Sequence, residues 1–256
     1  MWLCCTATIH FWWCLNKRHY RYYKIHGKGH FGSLPSARQL WESIQDKDLP
    51  RTFRAFLWNA MHGVHKLGSF WENILGLKHR ASCRDCGEED GLEHIMLRCP
   101  KSGHGTIWPL AKAIWNKKRN GSPVWPEMWN VGAILGVGTA NFKKGNKPLT
   151  RDNCLFKFLI AESVMLIWTI RLDKYKDKPM PTREEIRVKW VTRMNERLKT
   201  DRVSTHRKFG KLATNRELVL KTWSSTLQDE SNLPDNWIDV SGVLVGVDVR
   251  EQRAQT

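Results

Sequence analysis

Four residues in one short stretch constrain this chain more than anything else in it. Cys83, Cys86, His94 and Cys99 are spaced Cys-x2-Cys-x7-His-x4-Cys within CRDCGEEDGLEHIMLRC. A Cys-x2-Cys pair places both sulfurs on one side of a tight turn, each about 2.3 Å from a shared zinc ion. Gly87, directly after the pair, supplies the positive φ that such a turn favours. His94 adds a nitrogen, Leu92 and Leu97 around it offer packing, and Cys99 closes a tetrahedron. A full shell of protein ligands leaves no open coordination position, so the spacing predicts structural Zn2+ rather than a catalytic ion. Pro100 cannot continue a helix and marks the end of the unit. His104, five residues beyond Cys99, is the one substitute for the imidazole ligand. The plainer alternative is a set of thiol and imidazole side chains that never meet.

At 256 residues the chain is long enough to bury a core in one or two domains. Its 26% charged residues are unevenly signed, with 42 Lys and Arg against 25 Asp and Glu, a formal net charge of +17. That balance favours an anionic partner, nucleic acid ahead of an acidic membrane surface; the alternative is a basic surface that is merely solvated. If zinc takes three of the 7 Cys, then Cys4, Cys5, Cys14 and Cys154 remain. Adjacent Cys4 and Cys5 suit no ordinary disulfide framework, which predicts a reducing, intracellular compartment, nuclear or cytoplasmic. No membrane partner is expected. The apolar opening MWLCCTATIHFWWCL lacks a preceding basic residue and is too short to span a bilayer. Lys157 and Glu162 interrupt the apolar run at 154–170, which reads as a buried helix. Glu162 itself reads as an ion-paired or outward-facing carboxylate, with a raised-pKa acid as the alternative.

Periodicity predicts a mainly α protein. Ser36 caps a helix over 37–46 bearing Leu40, Trp41 and Ile44. A second helix runs from Arg51 to Met61 with Phe53, Phe56, Leu57 and Ala60 inward, and Gly63 ends it. A helix over 105–118 places Pro109 in its first turn, where a helix tolerates it. Three more helices follow. One spans Thr150 to Lys174. The next opens on Thr182 and Glu185 as a capping box, with Ile186, Trp190, Met194 and Leu198 as its apolar stripe. The last starts near Thr214, with Glu217 as box partner, and runs through Leu218, Leu220 and Trp223. In the final stretch, SGVLVGVDV reads as a short strand.

Two segments suggest contact with polyanions. Residues 16–30 interleave bases with aromatics, and Lys17, Arg18, Arg21 and Lys24 can cross phosphates while tyrosines stack; a flexible basic arm is an equal reading. Lys189, Arg193 and Arg197 recur every four residues beside the stripe over 183–205, with Glu184, Glu185, Glu196 and Asp201 tempering them towards a solvated face. Trp125, Trp129, Trp223 and Trp237 lie in or near irregular segments and suggest a second class of function, a helical protein-interaction module. No nucleophile triad or phosphate loop stands out. GVGTANFKKGNK lacks the Gly-Lys-Ser/Thr ending of a nucleotide loop and reads as a flexible basic loop.

The run from PRTFRAFLWNAMHG to CRDCGEEDGLEHIMLRCP resembles the reverse transcriptase zinc-binding domain found near the C-terminus of non-LTR retrotransposon polyproteins. The resemblance rests on Phe56, Leu57, Trp58, Cys83, Cys86, Glu93, His94, Cys99 and Pro100, and covers about residues 38–118. LVLKTWSSTLQDESNLPDNWI is similar, more loosely, to tails of retroelement proteins that follow an RNase H domain. The catalytic parts of such polyproteins have no counterpart here. The chain contains no Asp-Asp pair for a polymerase palm, and residues 1–37 hold no acidic residue for an RNase H metal site. The resemblance therefore implies a non-catalytic C-terminal segment, separated from its reverse transcriptase and RNase H domains. It would bind RNA or DNA or a protein of the parent element, or persist as an inactive remnant. The expected division is a basic aromatic arm (1–37), the zinc-binding domain (38–118), a linker (119–149), a helical region (150–226) and an extended tail (227–256).

Overall fold

The computed structural model describes residues 36–119, 125 and 130–247. Lys17, Arg18, Arg21, Lys24 and Trp129 lie outside them. The described residues fall into two compact units, one of 36–104 with 130–141, the other of 105–119, 125 and 142–247. Helices make up most of the second unit and begin and end the first, and the fold is mainly α as expected. No described helix is long and apolar enough to cross a membrane.

The first unit begins with α1 (Ala37–Ser43), closed by a reciprocal capping box between Ser36 and Gln39. It stops short of the expected 46, because Gln45 and Asp46 turn back to the carbonyls of Glu42 and Ser43. α2 (Arg51–Met61) buries Phe53, Phe56, Leu57, Ala60 and Met61, the face its periodicity predicted. Gly63 ends it at φ 63°, with the amide of Val64 reaching the carbonyl of Asn59. Beyond Gly63, up to residue 103, the backbone forms short 3-10 turns, bends, one antiparallel bridge and one π-helical turn, with no long helix or strand.

The expected linker is structured where it is described. Asn130 caps the short helix α4 (Val131–Leu135), every residue of which is buried, and α4 packs on α2. A 3-10 turn at Val137–Thr139 then packs against α1. Gly138 sits so close to α1 that an added Cβ would lie 2.3 Å from the Ser43 carbonyl oxygen. The glycine- and lysine-bearing segment that follows is not a free loop. It forms a two-residue hairpin in the second unit, β1 (Lys143–Lys144) against β2 (Lys147–Pro148), with Gly145 in the turn.

In the second unit α3 (His104–Arg119) leads to α5 (Thr150–Lys174), α6 (Arg183–Ser204) and α7 (Arg216–Trp223). α3 begins one residue earlier than expected, which puts Pro109 in its second turn. α5 buries residues on every side from Asp152 to Ile170, as an all-round apolar pattern demands. Its Phe156 meets Trp115 of α3 edge-on at 5.2 Å. α6 carries the expected capping box and buries Ile186, Trp190, Met194 and Leu198. The Trp190 indole donates to Ser163 Oγ at 2.9 Å, fixing α6 on α5. α7 differs in detail: Asn215 caps it, Glu217 pairs with Lys221 instead of closing a box, and Val219, Thr222 and Trp223 face inward. Leu218 and Leu220 are only partly covered, because the shorter helix turns a different face to α5.

Over its described residues, 227–247, the tail is irregular and folded rather than extended. Trp237 and Ile238 are buried in a 3-10 turn against α7, and strand-like pairing is limited to a single bridge between Leu227 and Val245. Lys117 donates to the Leu227 carbonyl and Asn195 accepts from the Val245 amide, so side chains reinforce the two backbone bonds of this bridge. Trp125, Trp223 and Trp237 are buried, which corrects the expectation that they form an exposed binding surface. Indole rings bury large apolar area, and that burial does not require a regular element around them.

Glu162 finds its partner on the neighbouring helix, 3.8 Å from the Arg193 guanidinium. Burial raises its carboxyl above the ordinary value of 4.5, against the opposing pull of Arg193 and Arg197. A folded-state pKa above the unfolded one gives a contribution fully present below the unfolded value and lost as pH rises through the folded one. Glu162→Gln removes that dependence. Its thermal midpoint relative to wild type is expected to climb as pH rises above the ordinary carboxyl value of 4.5; a pH-independent difference would refute this. Gly138→Ala is expected to destabilise the first unit by ~1–3 kcal/mol in denaturant titration, since backbone must shift to admit the methyl.

Candidate metal centre

Local backbone geometry builds the site. Cys83 and Cys86 lie on a turn closed by the Gly87 amide donating to the Cys83 carbonyl at 2.9 Å, with Gly87 at φ 76°. The Cys83 amide donates to the Glu88 carbonyl at 2.7 Å, and Ser82 bridges Glu89 antiparallel, so a small hairpin presents both sulfurs. His94 starts the π-helical turn His94–Arg98, and Cys99 is its C-cap. The Cys99 amide reaches back five residues to the His94 carbonyl at 2.7 Å, which brings these two ligands together. Ile95 and Met96 are buried beneath the turn, whereas Leu92 and Leu97, the packing residues expected from sequence, are only partly covered. The wider π turn shifts the inward face to Ile95 and Met96.

The ligand atoms of Cys83, Cys86, His94 and Cys99 all lie within 4.8 Å of one another. Cys83 Sγ and Cys99 Sγ are 3.8 Å apart, and Cys86 Sγ is 3.3 Å from His94 Nε2. A tetrahedron with metal–sulfur bonds of about 2.3 Å has sulfur–sulfur edges of about 3.8 Å. A disulfide requires about 2.05 Å, so the sulfurs are arranged around a common centre and not bonded to each other. The four residues can hold a metal ion.

The protonation chemistry agrees with that donor set. Burial opposes ionisation of Cys83, but the backbone of Asp85, the His94 side chain and the backbone and side chain of Cys86 outweigh it and bring the thiol down to about 7. Cys99 is pushed up to about 12, first by burial and also by the neighbouring sulfurs of Cys83 and Cys86, against the backbone of Lys101. Several thiolates cannot share so small a volume without a cation, and a coordinated metal supplies that charge and deprotonates its thiols.

One contributor is not apparent from the ligand spacing. Glu88 places Oε2 3.1 Å from His94 Nδ1, on the ring edge opposite the sulfurs. A carboxylate there accepts the Nδ1 proton, fixes the tautomer and leaves the Nε2 lone pair directed at the ion. The only sequence signal for it is a carboxylate inside the knuckle, two residues after Cys86. His104 takes no part in the ligand set. Its Nδ1 donates to the Cys99 carbonyl at 3.0 Å and lies 3.0 Å from Ser102 Oγ, bracing the chain as it leaves the site. Burial lowers its pKa, which favours the neutral ring. Glu93, beside His94, is the N-cap of the π turn.

The other residues singled out in the sequence lie on α6. Arg193 faces Glu162, and Arg197 pairs with Asp201 at 3.0 Å while its guanidinium covers the Phe158 ring at 3.7 Å. Arg202 donates to the carbonyls of Ile238 and Val240. These groups bind the second unit together internally, and Lys189 remains exposed. Comparison of the chain with protein-family models, curated proteins and solved structures gives no match.

Cys83→Ser and Cys99→Ser are each expected to lose bound metal by elemental analysis and to open residues 64–103 to limited proteolysis, since little other regular structure restrains them. Glu88→Gln is expected to keep the ligands but weaken affinity ~10–100-fold in chelator competition. Unchanged affinity in that variant would remove Glu88 from the site.

Proposed function

We propose that the bound ion is structural Zn2+ and that the protein is a non-catalytic, zinc-stabilised nucleic-acid-binding module. The observation that carries the reading is the closed set of three sulfurs and one imidazole. Soft thiolates with imidazole in tetrahedral arrangement suit zinc, and four protein ligands leave no position for an activated water. The resemblance to the reverse transcriptase zinc-binding domain supports the same reading and suggests a retrotransposon origin.

The anionic partner is supported by charge, and that charge is unevenly distributed. Residues 36–104, which include all four ligands, carry ten Lys and Arg against nine Asp and Glu. The excess therefore sits in residues 1–35 and in 105–256. In this reading the metal gives shape to a nearly neutral module, while other segments supply attraction to phosphates.

Titration of fluorescent single-stranded RNA and DNA across a salt series tests the proposal. Binding is expected to weaken linearly in log–log form, with a slope of about −0.7 per phosphate contacted. A flat response, or no binding at low salt, rejects nucleic acid as the partner. Elemental analysis of the purified chain is expected to give about one zinc per molecule.

A further inference from the structure

One exposed loop of the second unit combines charge and aromatic surface that the metal site does not use. After α6 the chain runs His206, Arg207, Lys208, Phe209, Gly210, Lys211, Leu212, and all seven residues are exposed. From Arg202 to Arg216 there is no acidic residue. Phe209 is 40% exposed and Leu212 89% exposed. The Lys208 ammonium lies 5.1 Å from the centre of the Phe209 ring.

The loop is held in shape. The Thr214 amide donates to the Ser204 carbonyl at 2.9 Å, closing its neck, and buried Thr205 anchors the entry through Arg202. Within it, the Lys208 amide donates to His206 Nδ1 and the Phe209 amide to the His206 carbonyl. Gly210 at φ 52° and ψ −124° takes a conformation open only to glycine, so Lys211 departs from the direction set by Phe209. Asp239 is held by Arg216 at 2.6 Å.

We propose that this loop is a single-stranded nucleic-acid contact, with Phe209 stacking on a base and Arg207, Lys208 and Lys211 meeting the flanking phosphates. An aromatic face bracketed by cations is the pairing that holds single strands without regard to sequence. The fixed neck reduces the ordering cost of binding. An anionic bilayer is the less suitable occupant. Binding in the membrane interface needs an extended apolar helical face, and the loop offers two apolar side chains split by a kink.

The inference rests on the nucleic-acid reading above and deepens it. The test uses the full chain, a labelled single-stranded oligonucleotide and vesicles of phosphatidylserine with phosphatidylcholine. Phe209→Ala changes no charge and is expected to weaken oligonucleotide binding ~5–100-fold with little change in salt slope. The combined Arg207→Gln, Lys208→Gln and Lys211→Gln variant is expected to flatten the slope by about 2. Phe209→Trp should restore wild-type affinity. Circular dichroism and metal content should match wild type throughout, because these side chains are exposed. If wild type binds but both variants bind equally well, the loop is not the contact and the broader reading survives. If wild type binds no nucleic acid, both fall. Vesicle binding lost with Phe209→Ala, while oligonucleotide binding stays intact, assigns the loop to lipid and overturns the proposal.

Discussion

The convergence of Cys83, Cys86, His94 and Cys99 is the constraint on which the first unit depends. Between Gly63 and residue 103 no long helix or sheet orders the chain. Short turns leave many backbone groups dependent on local bonds, and such segments hold together only when something fixes the unfolded alternatives. The four ligand residues can hold a metal ion, and an ion held there would do so by closing the loop between Cys83 and Cys99, sixteen positions apart. The hairpin and the π turn are the two geometries that bring the ligands to a common centre.

The second unit is held by packing and by polar side chains. A helix buried on all sides, α5, is enclosed by neighbours, and polar side chains at fixed points set the packing. Trp190 with Ser163, Trp223 with Asp201, and Arg119 with Asp152 each join elements distant in sequence. Asp201 serves twice, accepting the Trp223 indole proton while pairing with Arg197. Basic residues thus divide into two populations. Arg119, Arg193, Arg197 and Arg202 are engaged inside the unit, whereas Lys143, Lys144, Lys147 and the loop over 206–212 are exposed. Net charge alone does not separate them.

Much was legible in the chain before folding. The ligand set, the limits of α2 and α5, the capping box at Thr182 and the apolar stripe of α6 all follow from spacing within a few residues. Other features were misread for definable reasons. Trp125, Trp223 and Trp237 look exposed beside irregular sequence, yet indole burial does not require a regular element around it. Asn130 and the short apolar run after it were hidden in a stretch rich in Gly, Pro and Asn. Glu88 gave only a weak signal, a carboxylate inside the knuckle, because it is the turn geometry that brings it beside His94.

Sequence by itself determined which atoms can grip a metal and which residues start and stop the principal helices, because those properties arise from contacts among near neighbours. Tertiary structure alone decided that Glu88 orients His94, that Glu162 lies opposite Arg193, and that the cations of α6 turn inward while the loop after it stays open. Those outcomes depend on the relative placement of whole elements. A side chain's partner there is selected by packing and by the cost of burying charge without an opposite one nearby.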